Sequence, residues 1–344
     1  MAHLLQALKD EMVLRCDYIT LPDTLYIGGG TPSLYRAEEL GGLIEEAKKV
    51  WGCEFKEITV ELNPEDVTHL YCRALADYGV NRLSVGIQSF FDEHLRFMNR
   101  RHNAAQGIKA IEAARNVGFQ NISIDLIFGF PGLTVDQWRQ NIEYALQWEP
   151  EHLSAYQLGI EPGTPFYKRY QEGLLQPVAQ EEAADQYALM QGLLQTAGLI
   201  QYEVSNFARE RYGSQHNSAY WQGACYLGVG PSAHSFNGVA RHANVRSLWR
   251  YLKGITEGRL AVSEERITPR KRYNEFVMTR LRTVKGFSRK ELEKQNCSKN
   301  LQRHFEQASA RLFQQGLLTE QDGYIAIVPS KLFIMDRIVM ELML

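Results

Sequence analysis

The run Thr24-Leu25-Tyr26-Ile27-Gly28-Gly29-Gly30-Thr31-Pro32-Ser33 constrains this chain more than any other stretch. An apolar, partly β-branched segment ends in three glycines, and an amphipathic stretch over residues 36–51 follows, which predicts a strand, a tight turn and a crossover helix. Consecutive glycines let the backbone take left-handed dihedrals and let a ligand press on bare N–H and C=O groups. Thr31 and Ser33 add hydroxyls for a polar ligand, and Pro32 stiffens the exit. A loop that only had to turn would not need this set.

The alternation continues along the chain. Helical spacing of Leu4, Leu5, Leu8, Met12 and Val13 predicts a helix over residues 2–14, broken before Pro22. After the first unit come strand 57–62 and helix 68–78, strand 82–87 and helices 92–98 and 104–117. Strand 122–127 and helix 135–146, strand 152–158, helix 180–197 and strand 201–204 complete six β/α units. Apolar strands separated by helices indicate parallel pairing through right-handed crossovers. The expected fold class is α/β, a partial, TIM-like (β/α)6 barrel. Such folds place ligands at the C-terminal ends of the strands. Thr31, Glu61, Asn63, Gln88, Asp125 and Tyr156 are therefore expected to meet at one mouth.

With 344 residues and a net charge of −2, the chain can bury a large core, and its overall field favours neither nucleic acid nor an anionic membrane. The sequence has no signal peptide, long uncharged apolar run or low-complexity tract, so a cytoplasmic location is expected. Its five cysteines, Cys16, Cys53, Cys72, Cys225 and Cys297, agree with a reducing compartment. No two stand at the spacing of a zinc or iron–sulfur motif.

Residues 209–245 read as irregular, rich in Gly, His, Asn and aromatics, and long loops of this kind are usually functional. His216, with Tyr220 and Trp221 four and five positions on, suits a flat aromatic ligand carrying a metal at its centre. Composition alone favours the plainer reading, a histidine that caps local structure beside aromatic core residues. Three helices and a hairpin across Asp322-Gly323 then predict a winged-helix-like module, which divides the chain into residues 1–258 and 259–344. Its third helix offers Arg303, His304 and Arg311 and is interrupted by Glu306, so nucleic acid is not an expected partner.

Together these stretches resemble a family. Gly28-Gly29-Gly30-Thr31-Pro32-Ser33, Glu61-Leu62-Asn63-Pro64-Glu65, Asn81-Arg82-Leu83-Ser84-Val85-Gly86-Ile87-Gln88-Ser89-Phe90, Asn99-Arg100-Arg101-His102 and Ile124-Asp125-Leu126-Ile127-Phe128-Gly129-Phe130-Pro131-Gly132 are similar to the radical S-adenosylmethionine proteins related to oxygen-independent coproporphyrinogen III oxidase. The resemblance covers nearly the whole chain. Glu203-Val204-Ser205-Asn206-Phe207-Ala208 and His216-Asn217-Ser218-Ala219-Tyr220-Trp221 resemble the HemW-type heme chaperone branch, in which this second motif is associated with heme binding.

The resemblance implies S-adenosyl-L-methionine as a cofactor held by Gly29, Gly30, Thr31, Glu61, Gln88, Arg100, Asp125, Gly159 and His234. It implies heme at His216, Asn217, Tyr220 and Trp221, with His216 on the iron, and a 4Fe-4S cluster in the full-length parent. Heme-recipient proteins are the implied partners, with peripheral membrane association during delivery. The family's CxxxCxxC cluster loop does not occur in this sequence, so an N-terminal truncation that removes it is expected, a degenerate member being the alternative, and radical chemistry by the chain as given is not expected. Coproporphyrinogen III oxidation is the competing function; a reduced, metal-free porphyrinogen offers no iron for His216.

Overall fold

The computed structural model describes residues 2–295 and 299–344; Cys297 lies outside them. Helix α1 (Ala2–Leu14) leads to β1 (Thr24–Ile27), α2 (Ala37–Trp51), β2 (Glu57–Leu62), α3 (His69–Asp77), β3 (Arg82–Gln88), α4 (Asp92–Phe97), α5 (Ala104–Val117) and β4 (Ile122–Phe128). Next come α6 (Val135–Leu146), β5 (His152–Gln157), α7 (Pro165–Gln171), α8 (Gln180–Thr196), β6 (Ile200–Glu203) and β7 (Asn206–Ala208). Local chemistry sets the helix starts. Thr68 accepts a hydrogen bond from the Tyr71 N–H, while Asn103 with Gln106 and Thr134 with Gln137 form reciprocal capping boxes.

These strands form a seven-stranded sheet in the order β1-β2-β3-β4-β5-β7-β6. β2 to β5 pair in parallel, and consecutive buried residues, Arg82 to Val85 and Ile122 to Ile124, suit strands covered on both faces. The partial barrel expected from the sequence is present, with one addition. β7 inserts antiparallel between β5 and β6, so the sixth predicted strand reaches the sheet as half of a hairpin. Buried Phe207 anchors β7; three residues were too short to show any periodicity.

The stretch read as irregular is structured. It contains α9 (Gln215–Trp221), β8 (His234–Phe236) and β9 (Ala240–Asn244), followed by α10 (Leu248–Thr256) and β10 (Val262–Arg266). β8, β9 and β10 form an antiparallel sheet. Its strands are short and mostly polar, with β10 largely exposed and β9 buried only at its two ends, so they carry none of the apolar alternation by which strands are recognised.

Contacts gather the chain into two units: Met1–Tyr26, Tyr35–Ile58 and Ser214–Leu344 form the first, and Ile27–Leu34 with Thr59–Gly213 the second. The first includes α11 (Pro269–Leu281), β11 (Phe287–Ser288), α12 (Arg289–Glu293), α13 (Lys299–Gln314), β12 (Leu318–Gln321), β13 (Tyr324–Ile327) and α14 (Met335–Leu342). Leu301, Phe305, Ala308 and Leu312 bury one face of α13. On the exposed side, Arg289 pairs with Glu306 and Glu320, so acidic residues neutralise a principal cation of this module. Asp322 and Gly323 both have positive φ, 51° and 77°, as the tight hairpin turn requires.

Candidate functional site

In the second unit, the predicted convergence at the strand ends is present. Gly30, Thr31, Glu61, Asn63, Gln88, Arg100, Asp125 and Tyr156 line one cavity of about 390 Å³. Gly29 and Gly30 have φ of +75° and +72°, and a Cβ on either would meet nothing within 4 Å. Backbone conformation, not crowding, therefore calls for glycine here. The Gly29 N–H donates to Glu61 Oε2 at 3.0 Å, which ties the loop to β2. Ser33 does not face a ligand. Its hydroxyl donates to Asp66 at 2.8 Å and accepts from the Asn63 N–H at 3.1 Å, so this buried side chain pins the loop instead.

Two non-glycine residues at this cavity's edge hold left-handed backbone. Gln88 has φ +63° where the β3–β4 register shifts, and Asn99, with φ +53°, precedes Arg100. Each such residue costs about 1–3 kcal/mol and persists where its surroundings over-determine it. Gly86 leaves room for the Gln88 amide, since a Cβ there would lie 2.7 Å from Gln88 Nε2. Burial pulls the Arg100 guanidinium down from its ordinary pKa, against the opposing charge of Glu65.

Asp125 ends a buried polar chain that sequence reading missed. It accepts from Ser84 Oγ at 2.6 Å and Ser123 Oγ at 2.7 Å. Because Ser123 has one hydroxyl proton, it accepts from His152 Nδ1 at 2.8 Å; His152 Nε2 in turn accepts from the Tyr202 hydroxyl at 2.8 Å. Burial holds the His152 pKa well below its ordinary value, in keeping with a neutral ring protonated on Nδ1. Burial also raises the Asp125 carboxyl, with the serine hydrogen bonds and Arg82 opposing. The available signal was a hydroxyl within each of three apolar strands: Ser84 is in register with Ser123, and Ser154 with Asp125.

Gly159 follows β5 and is not among the residues lining this cavity. His234 belongs to the first unit, where it opens β8 with an exposed side chain. Its backbone has a packing role: a Cβ on Gly228 would lie 2.2 Å from the His234 carbonyl oxygen.

The first unit carries the second predicted constellation, on a helix rather than a loop. Ser214 caps α9 by accepting from the Asn217 N–H, and the buried Glu57 carboxylate accepts from the N–H groups of Gln215 and His216 at 2.8 and 3.2 Å. A carboxylate at a helix N-terminus satisfies orphan donors and opposes the helix dipole. The His216 ring stacks on Tyr26 at 4.8 Å between centroids, meets Tyr220 edge-on at 5.0 Å, and places Nδ1 2.9 Å from Thr24 Oγ1. Burial pushes the Tyr220 phenol up to about 12, and the Arg282 guanidinium lies over the Trp221 ring at 4.6 Å. Spacing had suggested His216, Tyr220 and Trp221. Thr24, Tyr26 and Glu57, which hold them, come from elements too distant in sequence for any local pattern to reveal.

Among the described residues no group of His, Cys, Asp and Glu is placed to hold a metal ion, and no helix is long and apolar enough to cross a membrane.

Comparison with known proteins agrees with this layout. The Radical SAM superfamily pattern matches residues 10–145, and the HemN C-terminal domain pattern matches residues 267–329. The chain is 34% identical over 326 residues to the heme chaperone HemW of Bacillus subtilis (strain 168), covering 93% of this chain and 86% of that protein. It is 35% identical over 265 residues to the heme chaperone HemW of Lactococcus lactis, covering 76% and 69%. In fold it matches the solved coproporphyrinogen III oxidase (HemN) of Escherichia coli with a TM-score of 0.81 at 21% identity, covering 98% of this chain and 82% of that one. By identity and extent of match, this chain belongs to the HemW family of the radical S-adenosylmethionine superfamily.

Proposed function

We propose that this protein binds heme through His216 and hands it to recipient proteins, while the mouth of its partial barrel holds S-adenosylmethionine. The arrangement around His216 carries the reading. Thr24 and Tyr26 fix the imidazole, and Tyr220 and Trp221 supply flat apolar area from the same short helix. The contact between Nδ1 and the Thr24 hydroxyl holds the ring, whose imidazole is the group that would take the iron. An outer partner of this kind fixes the ring and its tautomer. The names of the relatives, heme chaperones, support the same reading.

The residues of the second unit fit S-adenosylmethionine in kind. The bare backbone at Gly29 and Gly30, with the Thr31 hydroxyl, suits its amino acid end; Glu61 suits its positive charge, Arg100 its carboxylate and Asp125 its ribose hydroxyls. Gly159 and His234 join this assignment through the family resemblance alone. When bound to a reduced cluster, the cofactor supplies radical chemistry. The five cysteines present do not fit such a cluster, since none stand at its spacing. The division at residue 258, into a barrel with its heme segment and a C-terminal module, belongs to the same reading and is supported by the match over residues 267–329.

Replacing Asp125 by alanine is expected to weaken S-adenosylmethionine binding by about 1.5–3 kcal/mol, the range for hydrogen bonds to a charged group. Because burial raises the Asp125 carboxyl, its ionised form is reached at higher pH than in an ordinary aspartate. Affinity should therefore rise with pH through that elevated value, and Asp125→Asn should flatten the rise. The raised pKa has the opposite sign for stability: its contribution is complete at low pH and is lost as Asp125 ionises. Calorimetric titration across the acid range checks both, and an affinity unchanged in Asp125→Ala removes Asp125 from the site.

The function itself is tested by titrating the purified chain with heme. Saturable binding of one heme per chain, with a Soret band distinct from free heme, is the expected result. Uptake that rises linearly without saturation would show unspecific partition and refute the proposal.

A further inference from the structure

A second cavity, of about 410 Å³, lies in the first unit between the C-terminal end of α9, the β8–β9 hairpin and one face of α11. Tyr220 is among its walls and meets the His216 ring edge-on at 5.0 Å, so one aromatic side chain borders both His216 and this cavity. The other walls combine aromatic rings with three arginines, Arg241, Arg272 and Arg280, against a single carboxylate, Glu275.

The charges do not balance. Glu275 pairs with Arg241 at 3.1 Å. Arg272 and Arg280 donate instead to the backbone carbonyls of Gly238 and Gln222, at 3.1 and 3.0 Å; Arg280 also acts electrostatically on the Glu291 carboxylate, whereas the Gly238 carbonyl satisfies Arg272 without neutralising its charge. Two N–H groups at the same walls, Trp221 Nε1 and Arg241 Nε, are buried and have no acceptor among the described residues. Buried donors without partners are rare and costly, and each calls for an acceptor. An aromatic-walled cavity with excess positive charge and two unused donors is complementary to a flat ligand bearing carboxylates.

We propose that this cavity receives the carboxylate-bearing edge of a tetrapyrrole, with Arg241 Nε and Trp221 Nε1 donating to a side-chain carboxylate and Arg272 and Arg280 supplying compensating charge. The proposal rests on the heme reading above and adds to it the part of the chain that recognises the acidic substituents. It also gives the C-terminal module, through α11, a share in the ligand site.

The test uses protoporphyrin IX, which carries two carboxylates and no iron, beside its dimethyl ester, each titrated into the purified chain by tryptophan fluorescence quenching. The native chain should bind the diacid about tenfold more tightly than the ester, the worth of one charge-assisted hydrogen bond or more. Arg241→Gln should reduce that preference to within about twofold. Arg272→Gln, which leaves the Arg241–Glu275 ion pair in place, should reduce it as well, and Trp221→Phe tests the indole donor with the ring kept; circular dichroism confirms folding of each. A native chain that binds acid and ester equally, or binds neither, overturns the proposal, as does a preference that survives both arginine substitutions. Failure of the iron-ligand reading looks different. A chain that prefers the diacid, loses the preference in the arginine variants, and yet shows no change of heme spectrum in His216→Ala upholds this cavity and removes His216 from the iron.

Discussion

Replacing Glu11 by alanine is expected to destabilise the first unit by about 3–5 kcal/mol, the cost of removing one partner from a buried charged network. Glu11 lies on α1 with no exposed surface. Its carboxylate accepts from the Tyr251 hydroxyl at 2.6 Å, the Asn244 amide at 2.7 Å and the Gly230 N–H at 2.8 Å, and it pairs with Arg15 at 3.2 Å. One side chain therefore joins α1, α10, the end of β9 and the turn at Gly230. Alanine leaves three donors and a nearly buried guanidinium without their acceptor. Thermal melting should fall by about 10 °C at the usual entropy of unfolding for a domain of this size, while Glu11→Gln, which keeps one acceptor oxygen, should cost less. A loss below about 1 kcal/mol would mean that these donors find other partners and that Glu11 is not the tie between the elements.

His216→Ala is expected to abolish the shifted Soret band of bound heme. Affinity should fall less than the spectrum changes, by roughly tenfold or about 1.4 kcal/mol, because Tyr220 and Trp221 still offer apolar area to the macrocycle. His102→Ala is the control. That ring is buried in the second unit, where Nε2 donates to the Ile87 carbonyl at 3.1 Å, and its loss should leave the spectrum alone. An unaltered spectrum and affinity in His216→Ala would move the ligand to His234, which is exposed, or His242, which already bonds the Tyr18 hydroxyl and Glu264.

The barrel was legible because its signals are local and repeated. Apolar runs such as Leu83 to Ile87 alternate with capped amphipathic helices, and that pattern alone places Thr31, Glu61, Gln88 and Asp125 at the same ends of neighbouring strands. The supports of those residues were not legible. The chain from Tyr202 through His152 and Ser123 to Asp125 includes a bond between residues 50 positions apart, and only the sheet order β4-β5-β7-β6 brings its members together. The same holds for Glu57 beneath α9, 159 residues from His216. The small sheet of β8, β9 and β10 was illegible for a different reason: β9 buries only its two ends and β10 is mostly exposed, so these short polar strands bury too little to impose a pattern. Ser33 marks the limit of reading chemistry from residue type, since a hydroxyl beside a glycine loop serves a ligand or the fold equally well, and here it bonds Asp66 and Asn63.

The central claim is delivery of heme, and binding alone does not establish it. The direct measurement is transfer from the heme-loaded chain to an apo-hemoprotein, followed by stopped-flow absorbance at the acceptor's Soret band over a range of acceptor concentrations. Handover by contact predicts a transfer rate that rises with acceptor concentration and exceeds the rate at which heme leaves the loaded chain into a passive scavenger. A rate independent of acceptor concentration and equal to that spontaneous loss would contradict the account.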